Sequence, residues 1–399
     1  MSGPYPHLLV ISSAPGDFQQ GRLILDKKFV EGMRLYAEAW PGRTACLLRG
    51  KADKMPFAGE FDPESLPFAV HLRPQHHRIG PADLAEHGVI LASGDNADYL
   101  HLADLCRRAG KAIHFTIEYI PETRRQIVML DPGRSLPSKM KSRLWLARQE
   151  IRRRRAFRRA TGLQANGYPA ATHYRNLNAE TLLYLDNRID AALLATEAEM
   201  AARRDRLLAG APLRLIHSGR LEPMKGSQDL VPIARRLRDL GVDFTIEIFG
   251  QGSLEPAIRK GIADHGLQDR MRLAGTVDFA TELVPHVRRH GDIYLSCHRQ
   301  SDPSCSYLEN MGCGLAVAGY ANRMWQGLFK DSGAGWIAPL GDGRALADQI
   351  ARAAADRADL VDRCEAARRF AATHLFDAEF ARRVAQMRAA ADALGGQPG

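Results

Sequence analysis

Residues 215–237 read LIHSGRLEPMKGSQDLVPIARRL, and they decide how the rest of the chain is interpreted. The stretch begins inside an apolar run, 213–217, that predicts a buried strand. A glycine turn with two cations, Arg220 and Lys225, follows the run, and a helical pattern starts around Ser227. Small residues let a backbone approach a phosphate and cations neutralise its charge, so this arrangement is typical of phosphate binding. The spacing alone gives equal weight to a turn whose two cations are only solvated.

Residues 298–320 read HRQSDPSCSYLENMGCGLAVAGY and contain a second helix start close to a strand end. Asp302 before Pro303 predicts a helix N-cap with proline at the first helical position, and Gly314 predicts the helix stop. The helix follows the strand predicted over 293–296. It would therefore begin at the carboxyl edge of a parallel sheet, where such sheets bind ligands.

The first turns of this helix offer groups that suit a nucleoside diphosphate. Free amides of Ser304, Cys305 and Ser306 would present a positive end to the phosphates. Glu309 lies on the same side of the helix, and its carboxylate could accept hydrogen bonds from a ribose. The simpler alternatives are that Glu309 only stabilises the helix start and that Asp302 only caps it, and for Asp302 the cap is the favoured interpretation.

The chain has 399 residues, of which 45% are hydrophobic and 25% charged, and its formal net charge is +9. The excess charge is local, because residues 139–159 hold ten Lys or Arg and one acid while the remainder has 45 basic and 45 acidic residues. This balance excludes a protein that coats nucleic acid over its whole surface. Six cysteines without a C-x-x-C pair, no signal peptide and no apolar stretch of about 20 residues predict a cytoplasmic chain with reduced thiols.

Short apolar runs alternate with helical patterns along most of the chain, which predicts two α/β domains with parallel strands. The runs are 7–11, 88–92, 112–119, 213–217, 244–249, 272–274, 293–296 and 315–320. This alternation is interrupted between about 130 and 212. We therefore expect an N-terminal domain over residues 1–195, a C-terminal domain over 196–373, and a last helix over 374–399 that crosses back to the first domain.

A long basic helix is predicted over residues 138–161, with Ser138 at its start and Gly162 as the cap at its end. Its residues form an apolar and a basic stripe, made respectively of Met140, Leu144, Ala147 and Ile151 and of Arg148, Arg152, Arg155 and Arg159. With Trp145 beside the apolar stripe, the pattern is typical of an interfacial helix on anionic lipid. Two alternatives stay open: the apolar stripe packs on its own domain, or the helix binds RNA, with only Trp145 and Phe157 available for base stacking.

Five segments, in this order along the chain, resemble the donor-binding half of the retaining GT-B glycosyltransferases of family 4, also called the group 1 glycosyltransferases. They are G-R-L-x-x-x-K-G at 219–226, EIFGQGSLEPAI at 247–258, MRLAGTVDFATEL at 271–283, ENMGCGLAVAGY at 309–320 and GAGWIAPLGDGRALADQI at 333–350. The resemblance implies a GT-B fold, in which two Rossmann-like domains face each other across a cleft. The first domain would bind the acceptor and the second the nucleotide sugar.

The resemblance also implies roles for residues of the second half. Arg220 and Lys225 would bind the donor diphosphate and Glu309 the ribose, and these three carry the catalytic assignment. The donor site would further include Gly219, Gly250, Asp302, Ser304, Cys305 and Ser306. The first Glu of the family's pair falls at Ser301, so Asp302 either takes over the contact with the donor sugar or leaves it to backbone amides. Because the chain has no Asp-x-Asp pair, we expect no essential metal, and no cofactor.

The resemblance is weaker in the first half. Gly16, in the loop SSAPGDFQQGR after the first strand, would by analogy approach the donor phosphates. Glu118 ends the strand 112–119 near the position of a cleft histidine in relatives, and we assign it to the acceptor site. The alternative is that Glu118 only forms an ion pair with Arg124 or Arg125. The helix residues assigned to the acceptor or the membrane are Trp145, Arg148, Arg152 and Arg155.

These assignments predict a retaining hexosyltransferase that uses UDP-glucose or a related UDP-hexose and a membrane-associated acceptor. A lipid such as diacylglycerol, giving a glycolipid, is the first expectation, and exopolysaccharide or lipopolysaccharide synthesis on a lipid carrier is the alternative. The enzyme would be cytoplasmic and peripherally bound to anionic lipid on the inner face of the cell membrane, with no nucleic-acid partner. A GT-B epimerase and an RNA-binding protein that uses the Arg-rich helix are the other classes left open.

Overall fold

The computed structural model describes residues 5–50, 58–130, 133 and 135–395. The strands are β1 (Leu8–Ile11), β2 (Asp17–Gln19), β3 (Arg22–Asp26), β4 (Thr44–Arg49), β5 (Ala58–Phe61), β6 (Ala69–Arg73), β7 (Val89–Ser93), β8 (Ala112–Ile117), β9 (Gly162–Asn166), β10 (Thr181–Tyr184), β11 (Leu213–Ser218), β12 (Phe244–Phe249), β13 (Met271–Gly275), β14 (Ile293–Ser296), β15 (Ala316–Tyr320) and β16 (Gly335–Ala338). The α-helices are α1 (Lys27–Ala39), α2 (Pro81–Leu84), α3 (Leu102–Arg108), α4 (Pro121–Leu130), α5 (Leu136–Arg159), α6 (Gly167–Tyr174), α7 (Glu197–Leu208), α8 (Leu230–Asp239), α9 (Glu255–Asp264), α10 (Val284–His290), α11 (Ser306–Gly312), α12 (Arg323–Ser332), α13 (Gly343–Ala355), α14 (Arg357–Ala372) and α15 (Phe376–Gly395).

The chain divides into two compact units. The first comprises Met1–Asn166, Ala170–Tyr184 and Phe380–Gly399, and the second comprises Gly167–Pro169 and Leu185–Glu379. Helix α15 therefore begins in the second unit and continues in the first. The sequence places the domain boundaries after residues 195 and 373, and that division stays a prediction.

The first unit is built on a seven-stranded parallel sheet. Its strands lie in the order β10-β9-β8-β7-β1-β4-β6. The chain order reverses between β1 and β7, and this switch point is where open α/β sheets bind ligands. A small antiparallel sheet, β2-β3-β5, is added to the unit, and its hairpin turn uses Gln20 and Gly21, which both have positive φ as a type I′ turn requires.

The second unit is built on a six-stranded parallel sheet. Its strands lie in the order β13-β12-β11-β14-β15-β16, which is the Rossmann order 3-2-1-4-5-6 when they are numbered within the unit. The switch point lies between β11 and β14. The glycine turn of 219–226 follows β11, and the segment before α11 follows β14, so both stretches that carry the sequence argument end at this point.

The α/β class with parallel strands is confirmed, and all eight predicted strands are present. The apolar runs predict these strands because a parallel strand that is buried on both faces of its sheet consists of consecutive apolar residues. The apolar runs do not predict β4, β6, β9, β10 or β16. Strands β6, β10 and β16 lie at sheet edges, and β9 contains the polar side chain of Gln164, which is buried and exchanges hydrogen bonds with Arg383 of α15.

The predicted cap of the basic helix is wrong. Gly162 does not end α5 but opens β9, and α5 itself begins at Leu136, before Ser138. The absence of a side chain at residue 162 is required by packing, because a Cβ there would lie 2.7 Å from Cδ2 of His114 on β8. Burial lowers the pKa of His114 to about 4, so this histidine is neutral inside the sheet at pH 7.

A buried arginine ties α7 to the sheet of the second unit. Arg203 is 5% exposed, and its guanidinium donates hydrogen bonds of 2.6 to 3.0 Å to the carbonyl oxygens of Gly291, Gly314, Arg288 and Cys313. These carbonyls belong to the segments that lead into β14 and β15. The arginine therefore fixes β14, which borders the switch point, together with its neighbour β15.

We expect Arg203→Met to lower the free energy of unfolding by about 3 kcal/mol, because the substitution leaves several buried carbonyls without a donor. Arg204→Met is the matched control, since the neighbouring side chain is 49% exposed, and it should change the free energy by less than about 0.5 kcal/mol. Urea denaturation followed by circular dichroism measures both variants. Equal stabilities would contradict the structural role of Arg203.

Candidate functional site

The glycine turn after β11 packs closely against the end of β14. Gly219 and Gly226 have φ of 147° and 72°, and Lys225 directly precedes the second glycine. A Cβ at residue 226 would lie 1.8 Å from the carbonyl oxygen of Cys297, the residue after β14. Only glycine permits such a close approach. The approach brings Lys225, the preceding residue, to the carboxyl end of β14.

A second glycine turn packs on the first. Gly250 directly follows β12 with φ of 126°, and a Cβ there would lie 2.0 Å from the carbonyl oxygen of Gly219. The structure thus brings Gly219 and Gly250 together. Close packing of the two turns is itself a sufficient reason for both glycines, and their assignment to the donor stays a prediction.

Lys225 and Asp302 form a largely buried ion pair. Lys225 Nζ lies 2.8 Å from Asp302 Oδ2, and the two side chains are 10% and 15% exposed. The pairing offsets the cost of burying either charge alone. An ammonium has three N–H donors, and this bond uses one of them, so Lys225 retains donors for a ligand.

Asp302 is therefore not the N-cap that the sequence predicts. Helix α11 begins at Ser306, and its N-cap residue is Cys305. The carboxylate binds Lys225 instead, because the tertiary fold places this cation within hydrogen-bond distance while the helix amides start further along the chain. The predicted helix stop is confirmed, since Gly314 has φ of 77° and donates its N–H to the Met311 carbonyl.

The start of α11 offers free backbone donors. Within the described ranges, the amides of Ser304, Cys305 and Ser306 donate to no protein acceptor. The hydroxyls are organised, because Tyr294 Oη of β14 donates to Ser306 Oγ at 2.9 Å and Ser304 Oγ lies 2.8 Å from the same atom. The three residues that the sequence singles out are thus brought next to the end of β14.

Two buried histidines lie close to Lys225. His217 on β11 and His298 after β14 are at most 1% exposed, and burial followed by the positive charge of Lys225 lowers the pKa of both. Both imidazoles are therefore neutral at pH 7. Among the described residues, His217 Nε2, His298 Nδ1 and Asp302 Oδ1 have no hydrogen-bond partner. The site thus combines one buried cation with unused polar atoms.

Glu309 lies in the first turn of α11 and is bound by Arg188. Arg188 Nε is 2.7 Å from Oε1, and Nη2 is 3.1 Å from Oε2, so the ion pair is bidentate. The guanidinium carbon lies 3.7 Å from the ring centre of Phe279. Sequence reasoning does not find Arg188, because it follows β10 in an aperiodic stretch and only the tertiary contact reveals it.

Arg220 is exposed on the same turn as Lys225. Its guanidinium forms no hydrogen bond and no ion pair with the residues that the structure describes. The turn after β11 therefore presents one buried and one exposed cation at the switch point. Lys225 is therefore not the solvated loop cation of the alternative interpretation, whereas the exposure of Arg220 agrees with that alternative, and phosphate binding by the two residues stays a prediction.

The first unit has a cavity of about 650 Å³ at its own switch point. Glu118, the predicted acceptor residue, lines it directly after β8 and donates its backbone N–H to Asp95 Oδ2 at 2.8 Å. Arg124 binds Asp95 and Glu150. The polar residues of the lining include Ser12, Ser13, Ser93, Asn96 and Thr116.

Gly16 lies within the first unit against leucine side chains. A Cβ at this position would lie 2.9 Å from Leu48 Cδ1 and from Leu72 Cδ2. Packing inside the unit is a sufficient reason for this glycine. Its approach to the donor phosphates stays a prediction.

Helix α5 presents its apolar stripe to the solvent. Met140, Leu144 and Ile151 are 60%, 59% and 72% exposed, so the alternative in which the stripe packs on its own domain is wrong. The buried face is formed instead by Gln149, Arg153, Ala156 and Phe157. Arg153 is anchored by the carbonyl oxygen of Gly94, which explains why a charged side chain lies inside.

The basic stripe is partly occupied by ion pairs within the unit. Arg155 and Arg159 bind Asp104 on α3, whereas Arg148 and Arg152 are exposed. Trp145 is 53% exposed. Among the helices of the described ranges, none is long and apolar enough to span a bilayer.

Two Rossmann-like units, the second with a glycine turn and a helix start at its switch point, define an α/β protein of the GT-B class. The crystal structure of Anabaena HepE in complex with UDP is similar, with a TM-score of 0.63 and 14% identity over 96% of this chain and 99% of HepE. This likeness confirms the fold class.

Residues 200–371, which lie within the second unit, match the family model described as glycosyl transferases group 1. The amylovoran biosynthesis glycosyltransferase AmsK of Erwinia amylovora is 30% identical over 163 residues, which are 39% of this chain and 40% of AmsK. The putative colanic acid biosynthesis glycosyltransferase WcaL of Escherichia coli K12 is 26% identical over 146 residues, 35% of this chain and 36% of WcaL. The chain thus spans about two fifths of the length of these curated relatives.

We expect Gly226→Ala to destabilise the protein by at least about 3 kcal/mol, because a Cβ adds left-handed strain and a clash with backbone that cannot move away. Gly333→Ala is the matched control, since Gly333 has φ of 63° and open space around it. The control should cost only the strain, about 1 to 2 kcal/mol. Thermal and urea unfolding measure both, and similar losses would show that the contact with Cys297 does not constrain the turn.

Proposed function

We propose that the protein is a retaining glycosyltransferase that moves a hexose from a UDP-hexose to a lipid-linked saccharide in exopolysaccharide synthesis. The observation that carries the proposal is the group of donors at the switch point of the second unit. It consists of Lys225 and Arg220 on the glycine turn and the free amides before and at the start of α11. Cations and amides converging on one point suit a diphosphate.

A nucleoside diphosphate fits this group better than a free phosphate because a hydrogen-bond acceptor, the Glu309 carboxylate, lies beside the hydrogen-bond donors. Glu309 is on the helix whose start offers the amides, and a carboxylate accepts hydrogen bonds from ribose hydroxyls. HepE, which shares the fold, is described in complex with UDP. We infer UDP as the nucleotide part of the donor.

The chemistry follows from where charge develops. Transfer breaks the bond between the anomeric carbon and the β-phosphate oxygen, and negative charge grows on the leaving UDP. Lys225 and Arg220 stabilise this charge because they are placed before the reaction begins, and such preorganised donors are worth about 100-fold to 1,000-fold in rate each. The acceptor oxygen bonds to the anomeric carbon on the face from which UDP departs, so configuration is retained, and the departing phosphate takes the acceptor proton. No protein nucleophile is required, and Lys225 and Arg220 supply the positive charge that a metal would otherwise supply.

The acceptor is assigned to the cavity of the first unit. Its lining combines the hydroxyls of Ser12, Ser93 and Thr116 with the aromatic ring of Tyr36, and this mixture suits a saccharide. AmsK and WcaL are described as glycosyltransferases of amylovoran and colanic acid biosynthesis. Together these points favour a saccharide acceptor over diacylglycerol.

The exposed face of α5 supports a membrane location for this acceptor. Seven of the eleven large hydrophobic side chains that are exposed in the described ranges lie on α4 and α5, namely Ile127, Met129, Leu136, Met140, Leu144, Trp145 and Ile151. Exposed cations accompany them on α5. Apolar side chains among cations are typical of a helix lying on anionic lipid.

Glycolipid synthesis on diacylglycerol remains the second candidate, because the same helix would bring the protein to that lipid. RNA binding loses support, since Phe157 is buried and only Trp145 is left for stacking on α5. An assay with a labelled UDP-hexose separates the two enzymatic candidates. Label would pass to a lipid-linked saccharide in the first case and to diacylglycerol in the second.

We expect wild-type protein to bind UDP, and Lys225→Met to weaken binding by about 10-fold to 100-fold, because a hydrogen bond from a charged donor contributes about 1.5 to 3 kcal/mol. Isothermal titration calorimetry measures the affinity. Lys260→Met is the control, since this lysine is 76% exposed and pairs with Asp264 on α9. The double variant Lys225→Met/Asp302→Asn avoids leaving an unpaired buried carboxylate. Unchanged affinity in both site variants would refute the assigned donor site.

We expect protein to sediment with vesicles that contain phosphatidylglycerol and not with pure phosphatidylcholine. Replacing Lys141, Arg148 and Arg152 by Gln should lower this binding about 100-fold, at roughly 1 kcal/mol for each cation near the surface. Arg153 is left unchanged because it is buried.

The control for the vesicle experiment removes the same charge elsewhere. The variant with Arg235, Arg259 and Lys260 replaced by Gln changes exposed cations of the second unit. It should bind anionic vesicles like wild type. Equal loss in both triple variants would mean that total charge, and not α5, determines the binding.

A further inference from the structure

Arg188 reaches the Glu309 carboxylate from the solvent side. Glu309 is 6% exposed, whereas half of the Arg188 side chain is accessible. Both carboxylate oxygens receive an N–H of the same guanidinium, at 2.7 and 3.1 Å. The planar fork of an arginine fixes the plane of a carboxylate that it binds in this way.

The backbone that carries Arg188 is anchored on both sides. Asn187 Nδ2 donates to the carbonyl oxygens of Leu185 and His374, and its Oδ1 accepts the N–H of Ile189 at 2.8 Å. The Ile189 carbonyl in turn accepts the N–H of Phe376. Arg188 therefore projects from a segment whose position is fixed by tertiary hydrogen bonds.

The guanidinium is also held on its face. Its central carbon lies 3.7 Å from the ring centre of Phe279, in the turn after β13. An arginine between an aromatic face and a carboxylate has little freedom to rotate. The side chain thus has one defined position although it is half exposed.

The other titratable groups around the pair do not compete with it. Burial, and then the charge of Glu309, raises the pKa of the Cys305 thiol to about 12, so this thiol is neutral. Asp186 and Asp278 are close enough to interact electrostatically with Arg188. Their negative charges favour the guanidinium in this place.

Binding of Arg188 does not exhaust the carboxylate. Each oxygen has two lone pairs, and the fork uses one on each. The neutral Cys305 thiol is a weak S–H donor to the same carboxylate, and a ribose hydroxyl is the stronger donor, so both oxygens can accept a further hydrogen bond from a ligand. Two hydroxyls on adjacent carbons, as in a ribose, match two such sites. We propose that Arg188 is a positioning residue of the donor site, which holds the Glu309 carboxylate in the orientation that accepts the ribose hydroxyls of the nucleotide. This inference rests on the proposed function.

The test compares UDP with 2′-deoxy-UDP, which lacks one of the two hydroxyls. Wild type should prefer UDP by about 10-fold or more, the effect of one hydrogen bond to a charged group. Glu309→Gln should reduce this preference, and Arg188→Gln should reduce it to the same level, because the carboxylate loses its orientation. Arg188→Lys, a point charge without a planar fork, should restore it only in part.

The control is Arg272→Gln. Arg272 is 60% exposed and pairs with Glu247 in the same unit, so the variant removes an arginine–glutamate pair outside the site. It should keep the wild-type preference for UDP. Circular dichroism and thermal unfolding establish that each variant is folded.

A double-mutant cycle separates positioning from direct contact. In the Glu309→Gln background, Arg188→Gln should cause no further loss of the preference for UDP over 2′-deoxy-UDP. If Arg188 bound the nucleotide itself, Arg188→Gln would lower the affinity for UDP and for 2′-deoxy-UDP equally, in the wild-type and the Glu309→Gln backgrounds alike. That result would overturn the proposal. Retention of the full preference in Arg188→Gln alone would also overturn it. Absence of UDP binding in wild type would instead refute the proposed function.

Discussion

The close approach of Gly226 to the carbonyl of Cys297 is the contact on which the site of the second unit depends. It joins the turn after β11 to the end of β14, the two strands on either side of the switch point. Lys225 is carried into the interior by this contact and meets Asp302 there. A side chain at residue 226 would push the turn away, and Lys225 would then be one more loop cation in solvent.

Arg203, Lys225 and Glu309 are buried charges that differ in how much of their hydrogen-bonding capacity is satisfied within the protein. Arg203 is surrounded by backbone carbonyls, which satisfy its donors and make it part of the framework. Lys225 and Glu309 are each paired with one side chain and keep hydrogen-bonding capacity after pairing. Unsatisfied hydrogen-bonding groups on a buried charge lower the stability of the fold unless a ligand binds to them. This difference is the reason that the proposed donor site includes Lys225 and Glu309 and not Arg203.

Helix α5 reverses the usual arrangement of an amphipathic helix. Its apolar stripe is exposed, while its buried face contains Gln149 and Arg153. Arg153 is stable inside because it bonds to Gly94 and pairs with Glu150. The contacts of this face with the unit leave the apolar stripe exposed, and this exposure is the observation behind the proposed binding to anionic lipid.

The sequence by itself determined the parallel α/β class, the glycine turn with its two cations and the stop of α11 at Gly314, because each is encoded by consecutive residues through burial, backbone freedom and local hydrogen bonds. Only the tertiary structure decided that Asp302 binds Lys225, that Arg188 binds Glu309 and which face of α5 is exposed. These ion pairs join residues 77 and 121 positions apart. The order of the strands in the sheet brings such residues together, and a local sequence pattern does not specify that order.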